Sequence, residues 1–99
     1  MDKKEILNEL GGLPEDVYDE LVLIFWDETR GRLKDMTQAV LAHDWTAVDR
    51  LAHGIKGSAA NLRLTTIRDV AKEMQEAAKA NDQPQVSRLF EFLKSLIPN

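Results

Sequence analysis

Hydrophobic residues recur every three or four positions through almost the whole chain, and no long stretch alternates with a period of two. This spacing predicts amphipathic α-helices and no β-strands. A short helix is predicted within residues 1–12, with Asp2 as its N-cap and a pair of glycines at its end. Pro14 is then expected as the first residue of a long helix that continues to about Ala42.

Three more helices are predicted in the second half of the chain. Asp44 is the expected N-cap of the third helix, over about residues 45–62, and Thr65 or Thr66 is the expected cap of the fourth. A polar Asn-Asp-Gln-Pro stretch separates the fourth helix from the fifth. Because the connections are short, consecutive helices should be antiparallel neighbours. The chain is therefore predicted to be all-α, an antiparallel up-down four-helix bundle over residues 13–97 with a short extra N-terminal helix.

The long second helix carries more apolar residues than one face can bury. Its predicted inner stripe consists of Val17, Leu21, Phe25, Leu33, Met36 and Val40. The run from Leu21 to Trp26 is apolar on every side of the helix, so some of it must pack elsewhere or form a docking patch. The favoured interpretation is that Ile24 and Trp26 pack against the N-terminal helix.

Composition narrows the function classes. Ninety-nine residues make one domain, 1–99, and the absence of cysteine excludes disulfides, thiol nucleophiles and thiolate metal sites. Thirteen basic against seventeen acidic side chains give a net charge of −4, which argues against a nucleic-acid surface. The longest strongly apolar run has six residues, against the ~20 of a membrane helix, and residues 1–5 are not followed by the apolar stretch expected of a signal peptide. We expect a cytoplasmic monomer with no membrane or nucleic-acid partner.

The two histidines are His43 and His53, and the second lies inside the predicted third helix. On a helical wheel, one face of that helix carries Val48, Leu51, Ala52, Ile55, Ala59 and Leu62. The opposite side carries Asp49, Arg50, His53, Lys56, Gly57 and Ala60. His53 should therefore point to solvent from the middle of a helix, while His43 should lie at a helix C-terminus.

Lys56 and Gly57 lie one helical turn after His53. A glycine in an exposed helix interior costs about 1 kcal/mol relative to alanine, so its presence predicts a partner that approaches the backbone closely. Ala60 extends this small surface. Each residue alone is unremarkable on a solvated helix face. A nucleophile, a cation and an open backbone together favour a functional site.

Residues 51–62, Leu-Ala-His-Gly-Ile-Lys-Gly-Ser-Ala-Ala-Asn-Leu, resemble the signature of histidine-containing phosphotransfer (HPt) domains. That signature is a histidine, two variable residues, Lys-Gly, small residues and an apolar position. A looser resemblance covers about residues 13–97. Two positions depart from it. Arg63 stands where the family often has glycine, and this departure affects how the helix ends rather than the chemistry. Gly54 stands where the family commonly has a larger residue, and it is expected to soften the helix.

The resemblance implies a phosphocarrier rather than an enzyme with turnover. His53 would take a phosphoryl group from an aspartate of one receiver domain and pass it to another, and its neutral imidazole is a competent nucleophile through Nε2. The implied partners are receiver domains of a hybrid sensor kinase or a response regulator. They would also supply Mg²⁺, so that this chain binds no metal or cofactor. Lys56 would offset the phosphoryl charge and Gly57 would leave room for receiver loops. Further expected receiver contacts are Asp49, Arg50 and Ala60.

Three alternatives can be weighed against this reading. The His43-Asp44 pair resembles part of a metal phosphohydrolase site, but His53 is the one other histidine available as a ligand. A sensor-kinase dimerisation domain normally has an acid directly after its histidine, where this chain has Gly54, and also needs an ATP-binding domain. The remaining alternative is a helical interaction module whose His53 face binds a partner without chemistry.

Overall fold

The computed structural model describes residues 1–99, which form five α-helices and no strand. The helices are α1 (Lys3–Glu9), α2 (Glu15–Leu41), α3 (Trp45–Asn61), α4 (Thr65–Lys79) and α5 (Gln83–Leu96). The prediction of an all-α chain with a short N-terminal helix is confirmed. Helix α3 packs against both α2 and α4, and α5 packs against α4 and contacts α2. The helix that carries His53 is therefore supported on two sides.

Aspartate side chains cap three of the helices. Asp2 Oδ1 accepts a hydrogen bond from the backbone N–H of Glu5, and Asp44 Oδ1 accepts one from Ala47 at 3.1 Å. Asp82 caps α5 in the same way. Each carboxylate satisfies a backbone N–H that has no partner within the helix. The predictions for Asp2 and Asp44 are confirmed.

Removing the cap of α3 should destabilise the fold. We expect Asp44→Ala to lower the free energy of unfolding by about 1 kcal/mol, because the N–H of Ala47 loses its acceptor. Urea denaturation followed by circular dichroism measures this. The matched control is Asp35→Ala, which removes an exposed aspartate from the interior of α2 and should change stability by no more than about 0.5 kcal/mol. Equal midpoints for the two variants would contradict the capping role.

Two predicted helix starts are wrong in detail. Pro14 has an extended backbone (ψ 143°) and precedes the first helical residue, Glu15. Helix α4 begins at Thr65, and the residue before it, Leu64, has no side-chain cap. Leu64 is half-buried and packs against the core. The residue that precedes α4 is therefore held by apolar packing, whereas the sequence predicts a threonine hydroxyl as the cap.

Three helices end on a residue with a left-handed backbone, namely His43 (φ 53°), Arg63 (φ 61°) and Asn81 (φ 54°). After Arg63, the N–H of Leu64 donates to the carbonyl of Ala59 at 2.9 Å, as in a Schellman motif. This conformation normally favours glycine. Arg63 Nη1 donates to the carbonyl of Ala60 at 3.0 Å, which satisfies a group at the helix end. The replacement of the family's glycine by Arg63 therefore affects the end of α3, as expected. His43 is confirmed as a residue at the end of a helix.

The inner face of α2 differs from the prediction over its first turns. Phe25, Leu33 and Met36 are buried as expected, whereas Val17 and Leu21 are 38% and 39% exposed. Tyr18 is buried instead, and its hydroxyl donates to the carbonyl of Leu62 at 2.7 Å. Burial raises the pKa of Tyr18, which keeps the phenol protonated as a donor. Further inner positions are Thr29 and Ala39, with Val40 half-buried.

The apolar run of α2 does not pack on α1. Ile24 is 53% exposed, while Trp26 packs against the core with its ring edge-on to Phe25 at 5.3 Å. The N-terminal helix has little contact with the others, and Lys3 links it to α2 through Glu15 and Asp19. The favoured interpretation of Ile24 and Trp26 is therefore wrong.

None of the five helices combines the length and the continuous apolar surface that crossing a bilayer requires.

Candidate functional site

His53 lies at the middle of α3 and is exposed, as the helical wheel predicts. The predicted core face is buried against the neighbouring helices at Val48, Leu51, Ala52, Ile55 and Ala59, with Leu62 half-buried. The imidazole makes no hydrogen bond and no ion pair with another protein group. Both ring nitrogens are thus available to a partner, on a helix whose opposite face is fixed in the core.

The surface on the Gly57 side of His53 is open. Apart from its chain neighbours and the backbone of α3 itself, no heavy atom lies within 4 Å of the position that a Cβ of Gly57 would occupy, and the residue is exposed. Ala60, one turn further, is half-buried and has a side chain of a single methyl group. A partner can therefore reach the backbone of α3 beside the imidazole, as the sequence suggested.

Asp49 lies one turn before His53 and is not a freely exposed carboxylate. It is half-buried, and its Oδ1 accepts a hydrogen bond from Nε2 of Gln75 at 2.9 Å. Gln75 is buried in α4, so this bond joins the histidine helix to its neighbour. Asp49 is one of the receiver contacts expected from the sequence, whereas Gln75 is not. A polar residue among the buried positions of α4 was the available signal, since glutamine is rarely buried without a partner.

Gly54 faces α2 rather than solvent. A Cβ at this position would stand 3.1 Å from Nε and 3.3 Å from Cζ of Arg32. Helix α3 runs unbroken through Gly54, and the guanidinium of Arg32 occupies the space where a side chain would lie. Arg32 is the residue of this site that sequence reasoning missed, because the contact joins two helices.

Three cations lie close to His53 in the fold: Arg50 and Lys56 are three residues away on α3, and Arg32 of α2 contacts the position of a Cβ on Gly54, the next residue in sequence. None of them forms a salt bridge, although the chain has six salt bridges elsewhere. Arg50 is exposed, and Lys56 and Arg32 are half-buried. On a chain with net charge −4, this face therefore holds unpaired positive charge beside a nucleophile. Such an arrangement favours an anionic group at the imidazole.

The residues around His53 do not form a metal site. No group of three or more histidine and carboxylate side chains is placed to hold a metal ion. Asp49 is the acid on α3 next to His53, and it is hydrogen-bonded to Gln75. The expectation that a partner supplies Mg²⁺ stays a prediction.

The shape of the site suits a macromolecular partner. None of the five best-defined surface grooves is lined by His53. Small molecules bind mainly in concave pockets, whereas an exposed helix face with small residues can be covered by another protein.

One comparison with known proteins gave a match. A family model described as Hpt domain matches residues 20–99, which include most of α2 and all of α3 to α5. The comparisons with curated proteins and with solved structures gave no match. The matched region contains His53 and every residue described around it.

Proposed function

Because the chain belongs to the Hpt domain family, we propose that it is a phosphorelay carrier whose phosphorylated residue is His53. Domains of this family take part in histidine phosphotransfer and generally act as phosphocarriers without catalytic activity of their own. The observation that carries the proposal is the exposed, unbonded imidazole of His53 beside the open backbone of Gly57. Uptake of a phosphoryl group from a phosphorylated receiver domain tests it.

The proposed step transfers a phosphoryl group from a receiver aspartate to His53. The lone pair of Nε2 attacks phosphorus, the N–P bond forms, and the P–O bond to the aspartate breaks with its electron pair leaving on the carboxylate. The proton on Nδ1 stays on the ring, so no general base is needed on this chain. Attack by the aspartate of a second receiver reverses the step. We propose a hybrid sensor kinase and a response regulator as the two sources of these domains, with Mg²⁺ supplied by the receiver.

The finer features of the fold belong to the same proposal. We propose that α2 to α5 form an antiparallel up-down bundle within a single domain of residues 1–99. Connections of three residues each join α2 to α3, α3 to α4 and α4 to α5, which supports antiparallel neighbours. The contact of Tyr18 with Leu62 joins the start of α2 to the end of α3 and also supports this direction. The monomeric state and the cytoplasmic location stay predictions.

Lys56 is proposed to offset the charge of the phosphoryl group. We expect Lys56→Ala to slow transfer to His53 about fivefold and to shorten the lifetime of the phosphohistidine, because one half-buried cation is worth about 1 kcal/mol to a neighbouring anion. Transfer of ³²P from a phosphorylated receiver measures the rate. Lys34→Ala is the matched control, since Lys34 lines a groove against α5 and should leave the rate unchanged. Identical rates and lifetimes for Lys56→Ala and wild type would remove Lys56 from the mechanism.

The inert interaction module remains the second candidate function. The same open face and unpaired cations suit the binding of an acidic partner without any chemistry. Phosphorylation at His53 separates the two, because the module needs the surface of α3 but not the nucleophilic nitrogen.

A further inference from the structure

Arg32 reaches across from α2 and rests on the backbone of α3 next to His53. Its Nε lies 3.1 Å, and its Nη2 3.4 Å, from the position of a Cβ on Gly54. An alanine there would force the guanidinium to move. Glycine is a poorer helix former than alanine, so the place for Arg32 is made at the expense of helix propensity. The contact therefore calls for a role that an alanine at this position would disturb.

The guanidinium of Arg32 is incompletely bonded. Its Nη1 is buried and has no hydrogen-bond partner in the protein, and no carboxylate pairs with it. A buried donor without an acceptor is destabilising, and more so when it is charged. A purely structural arginine would be expected to end on a carbonyl or a carboxylate. Arg32 instead has a buried donor without an acceptor, so a small movement of the guanidinium toward an incoming anion would break no hydrogen bond at Nη1.

The wheel positions on α3 put Lys56 and the contact with Arg32 on opposite sides of His53. Successive residues of an α-helix are about 100° apart, so Gly54 and the guanidinium above it lie on the α2 side of His53. Lys56, three residues after His53, lies about 60° away on the other side. A phosphoryl group on Nε2 would have a lysine on one flank and an arginine on the other.

We propose that Arg32 is a second phosphoryl-binding cation of the His53 site, held in place by the missing side chain of Gly54. This inference rests on the proposed function. As the N–P bond forms and the P–O bond to the receiver aspartate breaks, the guanidinium donates to the phosphoryl oxygens from the α2 side. Its planar fork fixes the direction of those oxygens, which the ammonium of Lys56 cannot do.

Receiver-dependent transfer is the first test. Arg32→Gln should slow phosphoryl transfer to His53 about tenfold, the loss of one hydrogen bond to a charged group. Arg32→Lys should recover part of the rate because it keeps the charge without the fork. The matched control is Lys34→Gln, which removes a cation from the α5 side of the same helix and should transfer at the wild-type rate. Equal rates for Arg32→Gln and Lys34→Gln would overturn the proposal.

Gly54→Ala tests how Arg32 is held. The added Cβ should shift the guanidinium by a few tenths of an ångström and slow transfer, though less than Arg32→Gln does, even though alanine favours the helix. In the Arg32→Gln background the same substitution should have no further effect. If Gly54→Ala slows both backgrounds equally, the glycine acts independently of Arg32 and that part of the proposal is wrong.

A receiver-independent measurement separates this inference from the proposed function. Potassium phosphoramidate phosphorylates exposed imidazoles, and a His43→Asn background leaves His53 as the one site, since asparagine tolerates the left-handed backbone of residue 43. In ³¹P NMR titrations, Arg32→Gln should raise the pKa of the phosphoryl group relative to Lys34→Gln, because a cation that favours the dianion is lost. Superimposable titrations would overturn the role of Arg32 even if receivers phosphorylate the protein. Failure of every receiver to phosphorylate wild type would overturn the proposed function and leave this titration to decide on Arg32.

Discussion

Replacing His53 with glutamine is expected to abolish phosphoryl uptake. Glutamine is similar in size and has no nucleophilic nitrogen, so Nε2 of the imidazole cannot be replaced. The fold should be unaffected, because residue 53 is exposed and its side chain makes no hydrogen bond. The helix propensity of glutamine is also at least as high as that of histidine. The measurement is incubation with a ³²P-labelled receiver domain and Mg²⁺, followed by a test for label that is lost in acid and kept in base.

The other histidine provides the matched control. His43 lies at the end of α2 with φ 53°, and its ring stacks on Trp45 at 5.4 Å. His43→Asn should therefore take up label as wild type does. Equal labelling of wild type and His53→Gln would refute the proposal that His53 carries the phosphoryl group. Loss of labelling in His43→Asn, with labelling kept in His53→Gln, would show that His43 is the phosphorylated residue. If no receiver labels wild type, the inert interaction module becomes the better reading.

The fold was predictable where local sequence decides the structure. The three-and-four spacing predicted every helix, and Asp2 and Asp44 were identified as caps because their partners lie three residues away. The errors arise where distant residues decide. Leu64 starts α4 because it packs on the core, and Tyr18 turns inward because its hydroxyl reaches Leu62, which is 44 residues away in sequence.

The first turns of α2 show why periodicity alone was insufficient there. In the run from Leu21 to Trp26 every side chain is apolar, so the sequence does not mark which side faces the core. The structure buries Phe25 and half-buries Val22 and Trp26, and it leaves Leu21, Leu23 and Ile24 exposed. Docking of α1 would have covered them, but α1 contacts the other helices little.

The site divides in the same way. His53, Lys56 and Gly57 lie on one exposed face of one helix, so helical geometry alone brings them together. The bond from Gln75 to Asp49 and the contact of Arg32 with Gly54 each join two helices. A single sequence does not show which residues of one helix lie opposite which residues of another. Gly54 carries a partial signal, because a second glycine in the interior of one helix is unfavourable and suggests a close neighbour at its backbone.

Enlarging Gly57 should produce the second large effect, with opposite signs for stability and transfer. We expect Gly57→Gln to slow transfer from a receiver about 100-fold, because a long side chain one turn from His53 holds the two proteins apart and small displacements of the reacting atoms are costly. The free energy of unfolding should rise by about 0.5 kcal/mol, since glutamine is the better helix former and nothing lies within 4 Å of the new Cβ. Transfer kinetics and urea denaturation on the same preparation measure both.

A graded series shows whether access of the partner is the cause. Gly57→Ala adds one methyl group in open space, so it should stabilise the helix by about 1 kcal/mol and slow transfer much less than glutamine does. Phosphoramidate is small enough to reach the imidazole past either side chain, so chemical phosphorylation of His53 should proceed at the wild-type rate in both variants. If it slows in parallel with receiver transfer, the substitution has altered the imidazole itself. If receiver transfer is unchanged in Gly57→Gln, the open backbone at residue 57 does not serve the approach of a partner, and the helix carries that glycine for another reason.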